Sequence, residues 1–309
     1  MFHLSRFLLF LQMELRALLQ QVVLHLQLIR SRRKLHGITR DTIKQLKSSA
    51  NAILNVITSW MVPSTYFEGI SQLLEHTDKN VKKQVRLMLT PLLRIYSSAL
   101  ECGESSLSLV FEMLASMISS MDRSAIGTYH VKIFEHCLIA LDLRRQLPES
   151  IKNINMAERS VIDAMTVLTM KLTETMFRPL FFHSLEWAES EFEGSDCIQS
   201  RSLDRSISFY NMVSKLTEHH RSLFVPYFKH LLEGCIRYLT EAHDVNEALA
   251  KRRKKAKVAD SVIRSKHELL SLKQWHLRAV ILKSLYKCFL YDNDLKLLDS
   301  TNFQVSYSA

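Results

Sequence analysis

The chain is 309 residues long and 47% hydrophobic, yet it holds only six glycines and five prolines. A sheet protein of that length would use more of both in its tight turns, so the composition argues against a β fold and for helices joined by short polar loops. A formal net charge of +10 favours an anionic partner, and five scattered cysteines without a C-x-x-C pair argue against a disulfide framework and for a reducing compartment.

Near the N-terminus Phe7-Leu8-Leu9-Phe10-Leu11 follows Arg6, but Glu14 and Arg16 interrupt the run and no small-residue cleavage site follows, so a secretory signal is not expected. No apolar run reaches the roughly 20 residues of a bilayer span. Arg30-Ser31-Arg32-Arg33-Lys34 is a basic cluster of the kind that ends a helix favourably. From Pro63 to Leu100 the pattern predicts one helical hairpin. Thr65-Tyr66-Phe67-Glu68 has the form of a capping box for its first helix, and the second helix begins near Asn80. The turn between them, with Asp78, Val81 and Lys82, resembles the inner turn of a HEAT repeat.

Further hairpins are predicted at about Ser105 to Gln146, Glu149 to Glu191, Ser202 to Ala242 and Ser261 to Ser300. Leu107, Val110, Phe111, Leu114, Met117, Ile118 and Met121 form one apolar stripe at helical spacing; Val161, Met165, Leu168 and Leu172 form another, and Leu277, Ile281, Leu285 and Cys288 a third. Glu193-Gly194-Ser195-Asp196 marks a turn, and a charged linker is expected at about 243–265. The predicted fold is therefore all-α, a HEAT/armadillo-type α-solenoid of stacked helical hairpins, in which each repeat touches chiefly its neighbours. The expected division is 1–148 as HEAT-like repeats, 149–303 as a C-terminal helical domain, and 304–309 as an irregular tail.

An internal echo supports a repeat. Phe177-Arg178-Pro179-Leu180-Phe181-Phe182-His183-Ser184-Leu185 matches Phe224-Val225-Pro226-Tyr227-Phe228-Lys229-His230-Leu231-Leu232 in Phe, Pro, Phe, His and Leu at an offset of 47 residues, within the length of a HEAT or armadillo unit. Pro179 and Pro226 are expected to open or kink the second helix of a pair.

Lys251, Arg252, Arg253, Lys254, Lys255 and Lys257 put six basic residues in seven positions. Their mutual repulsion forbids burial, and such a run suits nuclear import or contact with nucleic-acid phosphate. His130 and His136 beside Cys137, and His219, His220 and His230, match no zinc spacing, and Asp292-Asn293-Asp294 lacks the glycine and terminal glutamate of a calcium loop, so no metal is expected. Nucleophile elbows, glycine-rich phosphate loops and zinc-protease helices are absent from the sequence. No catalysis, cofactor, small-molecule substrate or membrane partner is predicted. The methionines and aromatics, Trp187 and Trp275 among them, are expected to be packing residues.

The run Thr175-Met176-Phe177-Arg178-Pro179-Leu180-Phe181-Phe182-His183-Ser184-Leu185-Glu186-Trp187-Ala188 resembles the C-terminal region of the nucleolar HEAT repeat-containing protein 1 / U3 small nucleolar RNA-associated protein 10 family. The likeness continues through Arg205 to Tyr210, Leu223 to Phe228 and Leu285 to Asp292, and covers roughly Ile151 to Phe303. It makes Phe177, Arg178, Pro179, Phe181, Trp187, Pro226 and Phe228 family-motif positions with an expected structural role, Arg178 supporting a helix turn or stacking on a ring. The resemblance implies a non-catalytic scaffold of the small-subunit processome in the nucleus and nucleolus. It further implies a role in pre-ribosomal RNA processing and ribosomal RNA transcription, with other processome proteins and pre-ribosomal or small nucleolar RNA as partners. Members of that family are far longer, so a fragment or splice form is expected. Without the resemblance, the helical repeats alone leave a karyopherin-like or other HEAT-repeat adaptor as the alternative.

Overall fold

The computed structural model describes residues 2–30, 39–61, 63–75, 89, 92, 107–146, 154–190, 203–240, 261–293 and 297. Among them there are helices and turns and no strand, as the composition predicts, and the fold is all-α and HEAT-like. None of these helices is long and apolar enough to cross a membrane. The chain forms two compact units, one of residues 1–136 and 150–172, the other of residues 137–149 and 173–309.

In the first unit, α1 (Phe2–Arg30) packs on α2 (Arg40–Trp60) and on α3 (Pro63–Glu75). Helix α2 starts where Thr39, in an extended conformation, accepts a 3.3 Å hydrogen bond on Oγ1 from the Thr42 N–H, with Asp41 in the first turn favouring the dipole. Leu19, Val22, Val23 and Leu26 of α1 are buried with Leu54 and Ile57 of α2 and with Tyr66, Ile70 and Leu73 of α3. Gly69 permits the approach of α3, since a Cβ there would lie 3.0 Å from Leu19 Cδ2. The expected capping box does not form: α3 begins at Pro63, a residue suited to a first turn, and Glu68 accepts from Arg16 Nη1 at 2.7 Å instead. The HEAT-like turn with Asp78, Val81 and Lys82 lies outside the described residues.

Helix α4 (Leu107–Ser120) is followed by α5 (Arg123–Leu141), the short α6 (Leu143–Gln146) and α7 (Ile154–Thr169). The stripe Val110, Phe111, Leu114, Met117 and Ile118 is buried, as are Val161, Ile162, Met165 and Leu168 on α7, which packs against α4. Lys171, just past α7, donates to the carbonyls of Met121 at 2.7 Å and Ser119 at 2.5 Å. A cation thus satisfies carbonyls left free at the end of α4. With their C-terminal ends together, α4 and α7 run parallel, as first helices of successive hairpins do.

The second unit is built around α9 (Asp204–His220). It packs on α8 (Glu174–Glu189), on α6, on a 3-10 turn (Arg221–Leu223) and on α12 (Ser261–Tyr291). Between α9 and α12 come α10 (Val225–Phe228) and α11 over 232–240. Eleven residues of α9 are buried, among them Ser206, Ser208, Ser214 and Thr217, whose small side chains admit neighbours closely. Lys273 meets Asp204 at 2.6 Å, Ser284 Oγ donates to the Tyr210 carbonyl at 3.2 Å, and Lys287 donates to the Ser214 carbonyl at 3.2 Å and to Glu218 at 2.7 Å. Partners advance together along both helices, so α9 and α12 are parallel too.

The hairpin predicted from Ser261 to Ser300 is instead one 31-residue helix, because no glycine or proline interrupts Ser261 to Tyr291. It also takes in 261–265, the end of the expected linker. A polar turn at Asp292-Asn293 closes it, with the Asp292 carboxylate accepting from the Leu297 N–H at 2.9 Å.

Candidate functional site

The family-motif positions converge within the second unit. Helix α8 buries Phe177, Leu180, Phe181, Ser184 and Ala188 along one face, the spacing of a helix with one apolar side. Pro179 lies on the exposed side, beyond the first turn, where it removes the N–H that would bond the Thr175 carbonyl, so it does not open α8. Pro226, by contrast, sits in the first turn of α10 and is also exposed. The echoed segments therefore differ in backbone: 177–185 is continuous helix, whereas 224–232 passes through turns and the short α10.

They nonetheless pack on one another. Phe181 makes edge contacts with Tyr227 and Phe224 at ring separations of 5.0 and 5.6 Å, Phe177 with Tyr227 at 5.2 Å, and Phe182 with His230 at 4.8 Å. Phe177 also stacks on His220 at 5.8 Å, and burial, with the charge of His219 second, holds the His220 imidazole below its ordinary pKa. Edge-to-face pairs of this kind add about 0.5–1.5 kcal/mol each beyond area burial. Phe228 is fully buried, and Arg178 lies over the Phe182 ring one turn ahead, 5.9 Å from its centroid. A void between Leu185, Phe209, Tyr210 and Gly234 holds only about 10 Å³. A space of that size is at the limit for one water molecule.

Trp187 belongs to a second, ionic cluster. Asp142, between α5 and α6, accepts from Arg205 at 2.6 and 3.0 Å and from Arg145 at 2.9 and 2.7 Å. Arg205 also lies over the Trp187 ring at 5.3 Å and donates to Ser190 Oγ at 2.8 Å and to the Trp187 carbonyl at 3.3 Å. Burial pushes the Asp142 carboxyl up, but the hydrogen bonds and charges of Arg205 and Arg145 outweigh it and hold it well below the usual carboxylate range. These groups are thus partnered chiefly with one another.

Lys251, Arg252, Arg253, Lys254, Lys255 and Lys257 lie outside the described residues. Cys137, Cys235 and Cys288 are buried free thiols, and burial chiefly raises all three, Cys235 to about 11 and Cys288 to about 12. Among the described residues no group of His, Cys, Asp and Glu is arranged to hold a metal. Trp275, expected in a core, is 60% exposed, because the inward face of α12 is taken by Leu277, Ile281 and Cys288. The Asp142–Arg205 pair was not foreseen; only Asp142 and Arg145, one helical turn apart, left a local trace.

Packed helices whose motif rings meet in a buried cluster define a helical-repeat protein. The family model of the BP28CT (NUC211) domain matches residues 125–296, and the chain belongs to that family, which is found in HEAT repeat-containing protein 1 and U3 small nucleolar RNA-associated protein 10. It is 46% identical to an uncharacterized protein of Arabidopsis thaliana over 266 residues, 86% of this chain and 11% of that protein. It is 30% identical to HEAT repeat-containing protein 1 of Danio rerio over 141 residues, 45% of this chain and 6% of that protein. With U3 small nucleolar RNA-associated protein 10 of Schizosaccharomyces pombe it shares 27% identity over 175 residues, 56% of this chain and 10% of that protein. The chain thus spans between 6% and 11% of the length of these relatives. No solved structure matches it.

Proposed function

We propose that this chain is a non-catalytic helical scaffold of the small-subunit processome, acting in the nucleolus in ribosome biogenesis, with pre-ribosomal RNA processing and ribosomal RNA transcription as its setting. The family match over residues 125–296, in which relatives bear the name U3 small nucleolar RNA-associated protein, carries the reading. Packing is in keeping with a scaffold: the motif residues Phe177, Phe181 and Phe228 are buried side chains of the helical core. Its partners are other processome proteins and small nucleolar or pre-ribosomal RNA, reached through helix faces and through Lys251 to Lys257. Six positive charges in seven residues suit phosphate contact or nuclear entry.

Affinity purification of the tagged chain from nuclear extract tests this. Recovery of U3 small nucleolar RNA with processome proteins is expected; recovery of transport factors and cargo without that RNA would favour a karyopherin-like adaptor and refute the scaffold. Alanine at Lys251, Arg252, Arg253, Lys254 and Lys255 should weaken RNA binding and flatten its salt dependence, or retain the protein in the cytoplasm.

A further inference from the structure

Helix α12 carries two apolar faces. One, with Leu277, Val280, Ile281, Ser284 and Cys288, is buried in the second unit, where α12 packs on α9. The other repeats apolar residues in alternating steps of three and four: Leu272, Trp275, Ala279, Leu282, Tyr286 and Phe289. Its five large members are 67%, 60%, 55%, 67% and 47% exposed in chain order. This is the spacing of a coiled-coil seam, and it runs for about 25 Å at 1.5 Å per residue. At about 100° per residue the two faces lie nearly opposite, so burial on α9 leaves the second stripe uncovered. Contiguous exposed apolar faces of that size mark interaction sites.

The rim of the stripe has one sign of charge. From Ser271 to Tyr291 the helix bears Lys273, His276, Arg278, Lys283 and Lys287 and no acidic residue. Lys273 and Lys287 are committed to Asp204 and Glu218, while His276 and Lys283 stand exposed along one edge. Arg278, half-buried, with its guanidinium 5.1 Å from the Trp275 ring centroid and donating to the Leu239 carbonyl at 3.4 Å, lies along the other.

We propose that the outer face of α12 docks an amphipathic helix of another protein, with leucine-like residues in the seam and aspartate or glutamate on both flanks against His276, Lys283 and Arg278. A second copy of this chain would set basic rim against basic rim. Single-stranded RNA would use Trp275, Tyr286 and the cations but leave Leu272 and Leu282 without an apolar partner. The proposal rests on α12 alone and does not depend on the ribosomal reading.

The full chain can be titrated, by fluorescence anisotropy, with two labelled designed helical peptides that carry leucine at every a and d position. One has glutamate and the other lysine at e and g. The acidic peptide should bind, and the basic one should bind at least about tenfold more weakly. Leu282→Asp and Tyr286→Asp should each weaken the acidic peptide about tenfold or more with the thermal midpoint unchanged, and Lys283→Glu should narrow the preference between the two peptides. The proposal is overturned if neither peptide binds or both bind equally. It is equally overturned if Leu282→Asp unfolds the chain, if labelled oligouridylate binds with the same dependence on Leu282 and Tyr286, or if sedimentation shows a dimer that Tyr286→Asp dissolves.

Discussion

Replacing Asp142 by asparagine probes the ionic cluster of the second unit with almost no change in shape. The carboxylate takes four hydrogen bonds, two from Arg205 and two from Arg145. Asparagine keeps one acceptor and turns an NH2 group toward guanidinium donors, so about half of these bonds become donor against donor. The Arg145 side chain is 37% exposed, and its share is screened to about 1 kcal/mol or less. Arg205, 17% exposed, faces an Asp142 side chain at 6%; removing one partner of a buried pair costs about 3–5 kcal/mol. Arg205 keeps Ser190 and the Trp187 ring, which sets the expectation for Asp142→Asn at about 3 kcal/mol, a fall of roughly 6–12 °C in thermal midpoint. The pH dependence carries the sign. The folded pKa of Asp142 is depressed, so its contribution is complete above the unfolded value of about 3.9 and is lost as pH falls below it. Melting followed by circular dichroism should therefore show a gap between the two proteins at pH 7 that narrows below pH 4. A double-mutant cycle with Arg205→Met should be far from additive. Equal midpoints at pH 7, or additive losses, would refute the assignment.

Other perturbations follow from the same cluster of helices. Phe181→Ala, at a fully buried ring, should cost about 3–5 kcal/mol, whereas Arg178→Ala, which removes an exposed cation–π contact, should cost about 1 kcal/mol or less, both measurable by urea denaturation. The buried Tyr227 hydroxyl has no hydrogen-bond partner among the described residues, so Tyr227→Phe should leave stability unchanged or raised; Tyr238→Phe, which breaks a 2.9 Å bond to Ser206, should lose about 1 kcal/mol. Burial depresses the His220 pKa, so its contribution is present above the unfolded value of about 6.5 and is lost as pH falls, and His220→Phe should flatten the stability profile of the second unit just below pH 6.5. At pH 8 Cys235 and Cys288 should resist iodoacetamide until the chain unfolds, a result read by peptide mass mapping.

Much of the fold was legible because burial is periodic. The stripes Val110 to Ile118 and Val161 to Leu168 are core, and helical spacing alone identified them. Spacing did not show where a helix ends when no turn residue marks it. Repeat regularity suggested a hairpin from Ser261 to Ser300, but without glycine or proline nothing interrupts α12 before Asp292. Partnership across sequence was not legible either: Asp142 and Arg205 are 63 residues apart, and each alone reads as an ordinary surface charge.

The echo of 177–185 in 224–232 joins these two kinds of information. Read as a repeat, it predicts two helices in equivalent positions of successive hairpins. The chain instead sets the two segments face to face, Phe181 against Phe224 and Tyr227, and Phe182 against His230. Similar aromatic spacing on both partners lets rings interleave edge to face at separations of 4.8 to 5.6 Å. The two prolines then differ in consequence while agreeing in sequence. Pro226 starts a single turn of helix that ends at Phe228, so Phe224, Tyr227 and Phe228 are delivered from a compact bend. Pro179 is carried inside a 16-residue helix whose buried face is set by Phe177, Phe181 and Ser184, and its ring points to the exposed side, where one missing hydrogen bond is open to water. The backbone follows from what each segment buries, and the motif persists in both because each must supply aromatic rings to the same core.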